Sequence, residues 1–232
     1  MPLKISAILS VFNGENYLAE AISSLLAQEY PLFEVIVVDD GSTDQTPAII
    51  RSFGDAIRSI RKSNRGLGAA RNTGVYAAKG DYFTFLDHDD LWSSDKIRMQ
   101  ASAITKDDPI LFSSVQQFIC PSLSQDERKK LIVDEQILPG YLAGTMLISK
   151  KRFFEVGYFR ENNEVGDFVD WFLRAKEADL PMQILPHLGL LRRVHRENMG
   201  RRPDLYSRSA YLRILHDSLK RRRAQPRECL HT

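Results

Sequence analysis

The sequence predicts a doubly wound α/β fold with a mostly parallel sheet. Short apolar runs alternate with helical-period segments through about residue 90, and two of those runs end in acidic turns. A chain of 232 residues with 43% hydrophobic content is enough to bury one ordinary core. Right-handed crossovers then place the helices on both faces of the sheet.

The elements follow in order. Ile5 to Val11 reads as a buried strand, and Asn13-Gly14-Glu15-Asn16 turns into a helix carrying Leu18, Ile22, Leu25 and Leu26 at helical spacing. Phe33 to Val38 is the second strand; Thr46 as cap and Pro47 as first helical residue start a helix through Ile49, Ile50 and Phe53. Ile57 to Ile60 is a weaker strand. Asn64-Arg65-Gly66-Leu67-Gly68 leads into a helix with Ala69, Ala70, Val75, Ala77 and Ala78, ending near Gly80, and Tyr82 to Leu86 is the next strand.

After Trp92 the pattern loosens. A helix near Asp95 to Thr105, an apolar run from Ile110 to Phe118 and a polar, loop-rich stretch from Ser122 to Glu135 come first. A strand from Leu142 to Ser149, an amphipathic helix from Asp167 to Ala178, strands at Met182 to Leu185 and Leu188 to Val194, and a peripheral helix from Leu205 to Arg223 complete the reading. Trp92 reads as packing under the loop before it, and Trp171, at helical spacing with Phe168 and Phe172, as core.

Composition excludes several classes. Lys+Arg 32 against Asp+Glu 30 gives +2, so no whole-chain field argues for nucleic acid. Cys120 and Cys229 lack metal-site spacing and fit a reducing compartment, the cytoplasm by default. Met1-Pro2-Leu3-Lys4 runs straight into a strand, and no apolar stretch approaches spanning length. Lys220-Arg221-Arg222-Arg223, with Arg213 and Arg227, makes the C-terminal end basic. Such a run is most often a solvated helix end; peripheral contact with anionic lipid, at the inner face of the cell membrane, is the alternative.

The chemistry concentrates at strand ends. Asp87-His88-Asp89-Asp90 follows one apolar run and Asp39-Asp40-Gly41-Ser42-Thr43-Asp44 another. Either alone reads as turn formers. Together, at the carboxyl ends of strands where α/β folds bind ligands, they read as site walls. Clustered carboxylates repel one another, and a divalent cation, Mn²⁺ or Mg²⁺, is the usual compensation, with a bridged diphosphate as its guest. Gly66-X-Gly68 is no dinucleotide fingerprint, since Arg71 stands where the third glycine belongs.

Four motifs occur in order: Ser10-Val11-Phe12-Asn13, Val37-Val38-Asp39-Asp40-Gly41-Ser42-Thr43-Asp44, Gly68-Ala69-Ala70-Arg71-Asn72-Thr73-Gly74 and Leu86-Asp87-His88-Asp89-Asp90. In this the chain resembles the family-2 inverting nucleotide-sugar glycosyltransferases, densely from residue 4 to 92 and more thinly from 140 to 200. The resemblance implies a GT-A fold over 1–200, with 1–92 as nucleotide-binding half and 93–200 as acceptor-side half, and 201–232 as a basic helix and tail. It implies a divalent cation, a UDP-sugar or other nucleoside-diphosphate sugar donor, a saccharide or lipid-linked saccharide acceptor, and direct displacement at the anomeric carbon.

By the same resemblance, Asp40 contacts the nucleobase with Asp39 supporting its loop, and Ser10, Phe12 and Asn13 wall the nucleoside. Arg71 faces the donor, Asp87 contacts the ribose or the metal's waters, and Asp89 is the main metal ligand. His88 is the variable middle position of the acidic loop. Arg193-Val194-His195-Arg196-Glu197-Asn198 resembles a late Arg-X-His-X-X-Asn motif, placing Arg193 at the donor phosphates and His195 at the metal or a phosphate.

Inverting transfer also needs a carboxylate to take the acceptor's proton. The family's acidic pair, counted back from Arg174, falls on Asp167 and Phe168, so the second acid is missing. Asp167 is the expected base and Asp170 the second candidate; both also suit the N-terminal turn of a helix. Two other readings stay open: a metal-dependent sugar-phosphate nucleotidyltransferase, and a non-catalytic binder that keeps the donor site.

Overall fold

The computed structural model describes residues 2–131, 133–161, 166–195, 198 and 205–224. The first half repeats strand and helix: β1 (Ile5–Val11), α1 (Leu18–Leu26), β2 (Glu34–Asp39), α2 (Thr46–Ser52), β3 (Arg58–Arg61), α3 (Leu67–Ala77) and β4 (Tyr82–Asp87). The second half holds β5 (Leu91–Trp92), α4 (Lys96–Ser102), β6 (Ile110–Ile119), α5 (Gln125–Arg128), β7 (Leu138–Pro139), β8 (Met146–Ser149), α6 (Lys150–Val156), α7 (Asp167–Glu177), β9 (Met182–Val194) and α8 (Leu205–Ala224).

One sheet runs β3-β2-β1-β4-β8-β6-β9-β5, with β7 on β6. The β3, β2, β1 and β4 strands are parallel, as the alternation predicts, while β8 joins β4 and β6 antiparallel and β9 joins β6 parallel. Each residue of β1 is buried, which marks a central strand covered on both faces. Ile5, Ala7, Leu9 and Val11 pack toward α1, α2 and α4; Ile8 packs with α3, α6 and α7. On that second face a Cβ at Gly74 would overlap Ile8 Cγ2, so only glycine lets α3 lie this close to β1. Trp171 is fully buried there, and Trp92 lies under the acidic loop with its Nε1 donating to Gly144 O at 2.9 Å.

The second half differs from the expected elements in local ways. The two strands predicted across 182–194 are one, β9, whose register against β6 shifts beside Ser114, opposite the segment holding Pro186. Proline cannot donate to a ladder, which explains both the irregularity and the apparent break in the sequence pattern. α6 was not expected; Ser149 caps it by accepting from Arg152 N at 3.2 Å. Thr46, expected as a cap, is the first residue of α2, and Asp44 Oδ1 accepts its N–H instead at 2.9 Å.

Candidate functional site

A cavity of about 710 Å³ opens at the carboxyl ends of β1, β2 and β4. Three loops form one of its walls. The first is tied to the second by Asn13 N donating to Ser42 Oγ (2.9 Å), Thr43 N to Asn13 Oδ1 (2.9 Å) and Gly14 N to Thr46 Oγ1 (2.8 Å). Asn13 makes this clamp from the left-handed region, φ 51°, which asparagine tolerates better than most residues. Ser10 and Phe12 line the cavity beside it.

Asp40 also lines the cavity, but its carboxylate is already occupied. It pairs with Lys62 Nζ and accepts from Arg65 N (3.1 Å) and Gly66 N (2.8 Å), so it fastens the 62–66 loop over the end of β2. Asp39 accepts from Ser42 N at 2.8 Å and shapes the turn from outside the cavity lining.

Arg71 connects the two sides. Its Nη1 donates to Asp167 Oδ2 and its Nη2 to Asp87 Oδ1, each at 2.6 Å, over the ring of Phe159. Burial opposes the charge, but Asp167 and Asp87 outweigh it and hold the guanidinium above its ordinary pKa. Asp167 sits in the first turn of α7, after Gly166. A Cβ at Gly68 would lie 2.8 Å from Arg160 O and 3.5 Å from Asp167 Cβ, so α3 needs glycine there to bring Arg71 to this carboxylate. Asn72 faces away, exchanging hydrogen bonds with the backbone of Phe159.

In the acidic loop, Asp89 Oδ2 is 3.0 Å from His195 Nε2 and accepts from Asn198 Nδ2 at 3.2 Å. Burial works to raise the Asp89 carboxyl, yet the His195 hydrogen bond and the neighbouring histidine charges keep it below its ordinary value. Asp90 is different: burial, then the charges of Asp89 and Asp87, push it well up, and its Oδ1 accepts from Arg193 N at 2.9 Å. His88 lines the cavity and packs against Gly14.

Besides Asp39, two expected site residues are elsewhere. The Arg193 guanidinium is clasped between the rings of Tyr17 and Phe118, donates to Asp89 O and Glu20, and does not line the cavity; Arg192 does. Successive strand residues face opposite ways, so the motif's arginine serves the framework while its neighbour meets the ligand space. Asp170 is fully buried and also outside the lining, facing Arg174 (2.9 Å), Arg160 (3.4 Å) and Arg221 (3.6 Å). A carboxylate spent on three arginines, away from the cavity, cannot meet an acceptor hydroxyl. Sequence reading missed Tyr17, Tyr141 and Tyr211 as lining residues; none stands in a motif. Glu164, Val165, Arg196, Glu197 and Arg227 lie outside the described residues.

Among the described residues, no group of three or more His, Cys, Asp or Glu side chains is arranged to hold a metal unaided. Asp89 and Asp87 nonetheless line one cavity together with His195, and carboxylate oxygens are donors that suit Mn²⁺ or Mg²⁺ when ligand oxygens complete the shell. The residues therefore fit a cation shared with a diphosphate rather than one caged by protein.

Comparison with known proteins shows the family and the fold. The family model for glycosyl transferase family 2 matches residues 6–171. An uncharacterized glycosyltransferase of Rickettsia felis is 35% identical over 192 residues, covering 76% of this chain and 32% of that protein. One from Rickettsia typhi is 37% identical over 197 residues, covering 78% and 62%. The chain thus spans less than two thirds of the length of these relatives. Among solved structures, S. aureus TarS superposes with a TM-score of 0.68 at 22% identity, covering 97% of this chain and 44% of that one. A shorter TarS form in complex with UDP-GlcNAc gives 0.65 at 21%, covering 92% and 67%. At that identity the likeness establishes the shared fold.

Proposed function

The chain belongs to glycosyl transferase family 2, and we propose that it moves a sugar from a nucleoside-diphosphate donor to an acceptor hydroxyl with inversion at the anomeric carbon. The observation that carries the reading is the shared cavity: Asp87, Asp89, His195 and Asp167 line it together, and Arg71 bonds Asp167 to Asp87. A UDP-sugar donor is supported by the TarS complexes with UDP and UDP-GlcNAc.

In this reading the nucleoside lies against Ser10, Phe12 and Asn13, above the loop that Asp40 fastens. Asp89, with Asp87 and His195 beside it, would hold Mn²⁺ or Mg²⁺, and the chemistry such a cation would supply is neutralisation of the charge growing on the diphosphate leaving group. Arg192, lining the cavity beside them, adds positive charge on the same side. Asp167 takes the proton from the acceptor hydroxyl as its oxygen attacks and the bond to the diphosphate breaks. Arg71 holds Oδ2 of that carboxylate, and among the described residues Oδ1 has no protein partner, which leaves it for the hydroxyl. The acceptor is a saccharide or a lipid-linked saccharide.

A thermal-shift panel of nucleotide sugars with and without Mn²⁺ tests the reading, since a ligand selective for the native state raises its stability. A cation-dependent rise in Tm with one or more sugar nucleotides is expected. No rise with any of them, in either condition, contradicts it.

A further inference from the structure

The helix α8 is amphipathic twice over. Its inner face packs on the body: Ala210 and Ile214 are buried, Ser218 Oγ donates to Glu177 Oε1 at 2.5 Å, and Arg221 Nε donates to Glu177 Oε2 at 2.5 Å. On the opposite side Leu212, Leu215 and Leu219 are 68%, 50% and 52% exposed, at i, i+3 and i+7, so they form one apolar stripe. Leucines this bare on a helix whose other face is already satisfied have no role in the core.

Charge identifies what covers them. Arg213, His216, Lys220, Arg222 and Arg223 are all exposed around the stripe, whereas α8 carries one acid, Asp217, whose side chain is 41% exposed and 3.9 Å from Arg160. Exposed leucines framed by arginine and lysine that outnumber the single nearby acid complement a surface that is negative outside and apolar beneath. Among the described residues no helix is long and apolar enough to cross a membrane, so such contact is peripheral.

We propose that the outward face of α8 docks on an anionic lipid membrane, with Leu212, Leu215 and Leu219 entering the headgroup boundary and Lys220, Arg222 and Arg223 pairing with lipid phosphates. The helix also reaches the site. Tyr211 lines the cavity and, with Ile214, packs on Gly166, the residue before Asp167. Docking therefore brings the acceptor side of the cavity to the lipid–water boundary, where a lipid-linked acceptor would be met. That consequence rests on the transferase reading; the docking itself does not.

The test is co-sedimentation of the 232-residue chain with vesicles of phosphatidylglycerol and phosphatidylcholine, against phosphatidylcholine alone, at low and high salt. Binding to the anionic vesicles only, weakening with salt, is expected. Lys220→Gln/Arg222→Gln/Arg223→Gln is expected to weaken it on the order of a hundredfold, at about fivefold per residue, and Leu212→Gln/Leu215→Gln/Leu219→Gln to abolish it. Both variants should keep the wild-type Tm and nucleotide binding, since none of the six residues lines the cavity or the core. Failure to bind anionic vesicles overturns the proposal, as does binding that the leucine variant retains. Light scattering that shows a dimer lost in the leucine variant, without vesicle binding, overturns it in favour of a second copy on this face.

Discussion

Arg71 and Asp167 meet at 2.6 Å, and the same guanidinium reaches Asp87 at 2.6 Å, so one side chain couples the end of β4 to the start of α7. Arg71 is 3% exposed. Its loss leaves two carboxylates facing each other without a cation, and breaking a buried pair this way costs about 3–5 kcal/mol. Arg71→Met is expected near that range by urea unfolding. Arg71→Lys should recover part of it, because a point charge serves one carboxylate and not the fork.

Asp167 and Asp170 should fail in different ways. Asp167→Asn keeps an acceptor for Arg71 but cannot take a proton, so sugar transfer should fall roughly 10²–10⁴-fold with donor binding intact. Asp170→Asn removes the charge that three arginines share, and should lower stability by about 1.5–3 kcal/mol. Paired transfer assays and thermal melts separate the two; equal loss of transfer at unchanged Tm in both would contradict the assignment.

Gly68→Ala places a methyl 2.8 Å from the backbone oxygen of Arg160 and 3.5 Å from Asp167 Cβ. Overpacking against backbone typically costs about 1–3 kcal/mol. The variant should be less stable and lose transfer beyond what its folded fraction explains, measured per folded molecule.

Lys96 is fully buried beside Trp92, hydrogen-bonded to Thr84 Oγ1 (3.2 Å) and Gln100 Oε1 (2.8 Å) with no carboxylate partner among the described residues, and burial holds it well below the ordinary lysine pKa. The unfolded chain then binds a proton that the folded one resists. Its contribution to stability is full above the ordinary lysine value and is lost as pH falls toward the depressed one. Lys96→Met removes that slope. Urea midpoints from neutral to alkaline pH should rise more steeply in the wild type than in the variant; parallel curves would show that Lys96 does not titrate this way.

How much of this was legible depends on range. Through residue 92 each element is local, because a buried parallel strand is an apolar run and its helix carries its own period; β1 at Ile5–Val11 follows directly. The loops at the ends of β1, β2 and β4 that line the cavity were legible for the same reason. What escaped depends on distant partners: Arg71 finds Asp87 and Asp167 at separations of 16 and 96 residues, and no pattern near Arg71 announces the second. Asp167 and Asp170 look alike in sequence, yet three residues fall about 60° short of a full helical turn, enough to send Asp170 into the arginines. Arg193 and Arg192 were indistinguishable until β9 fixed which face each occupied.

A sugar nucleotide held through a cation at Asp89 is the centre of the proposed mechanism. Calorimetric titration of UDP into wild type and Asp89→Ala, each with Mn²⁺ and with chelator, tests this most directly. Binding by the wild type only with Mn²⁺, and weak or absent binding by Asp89→Ala in both conditions, is predicted. Equal UDP affinity with and without the cation, unchanged by Asp89→Ala, would contradict it.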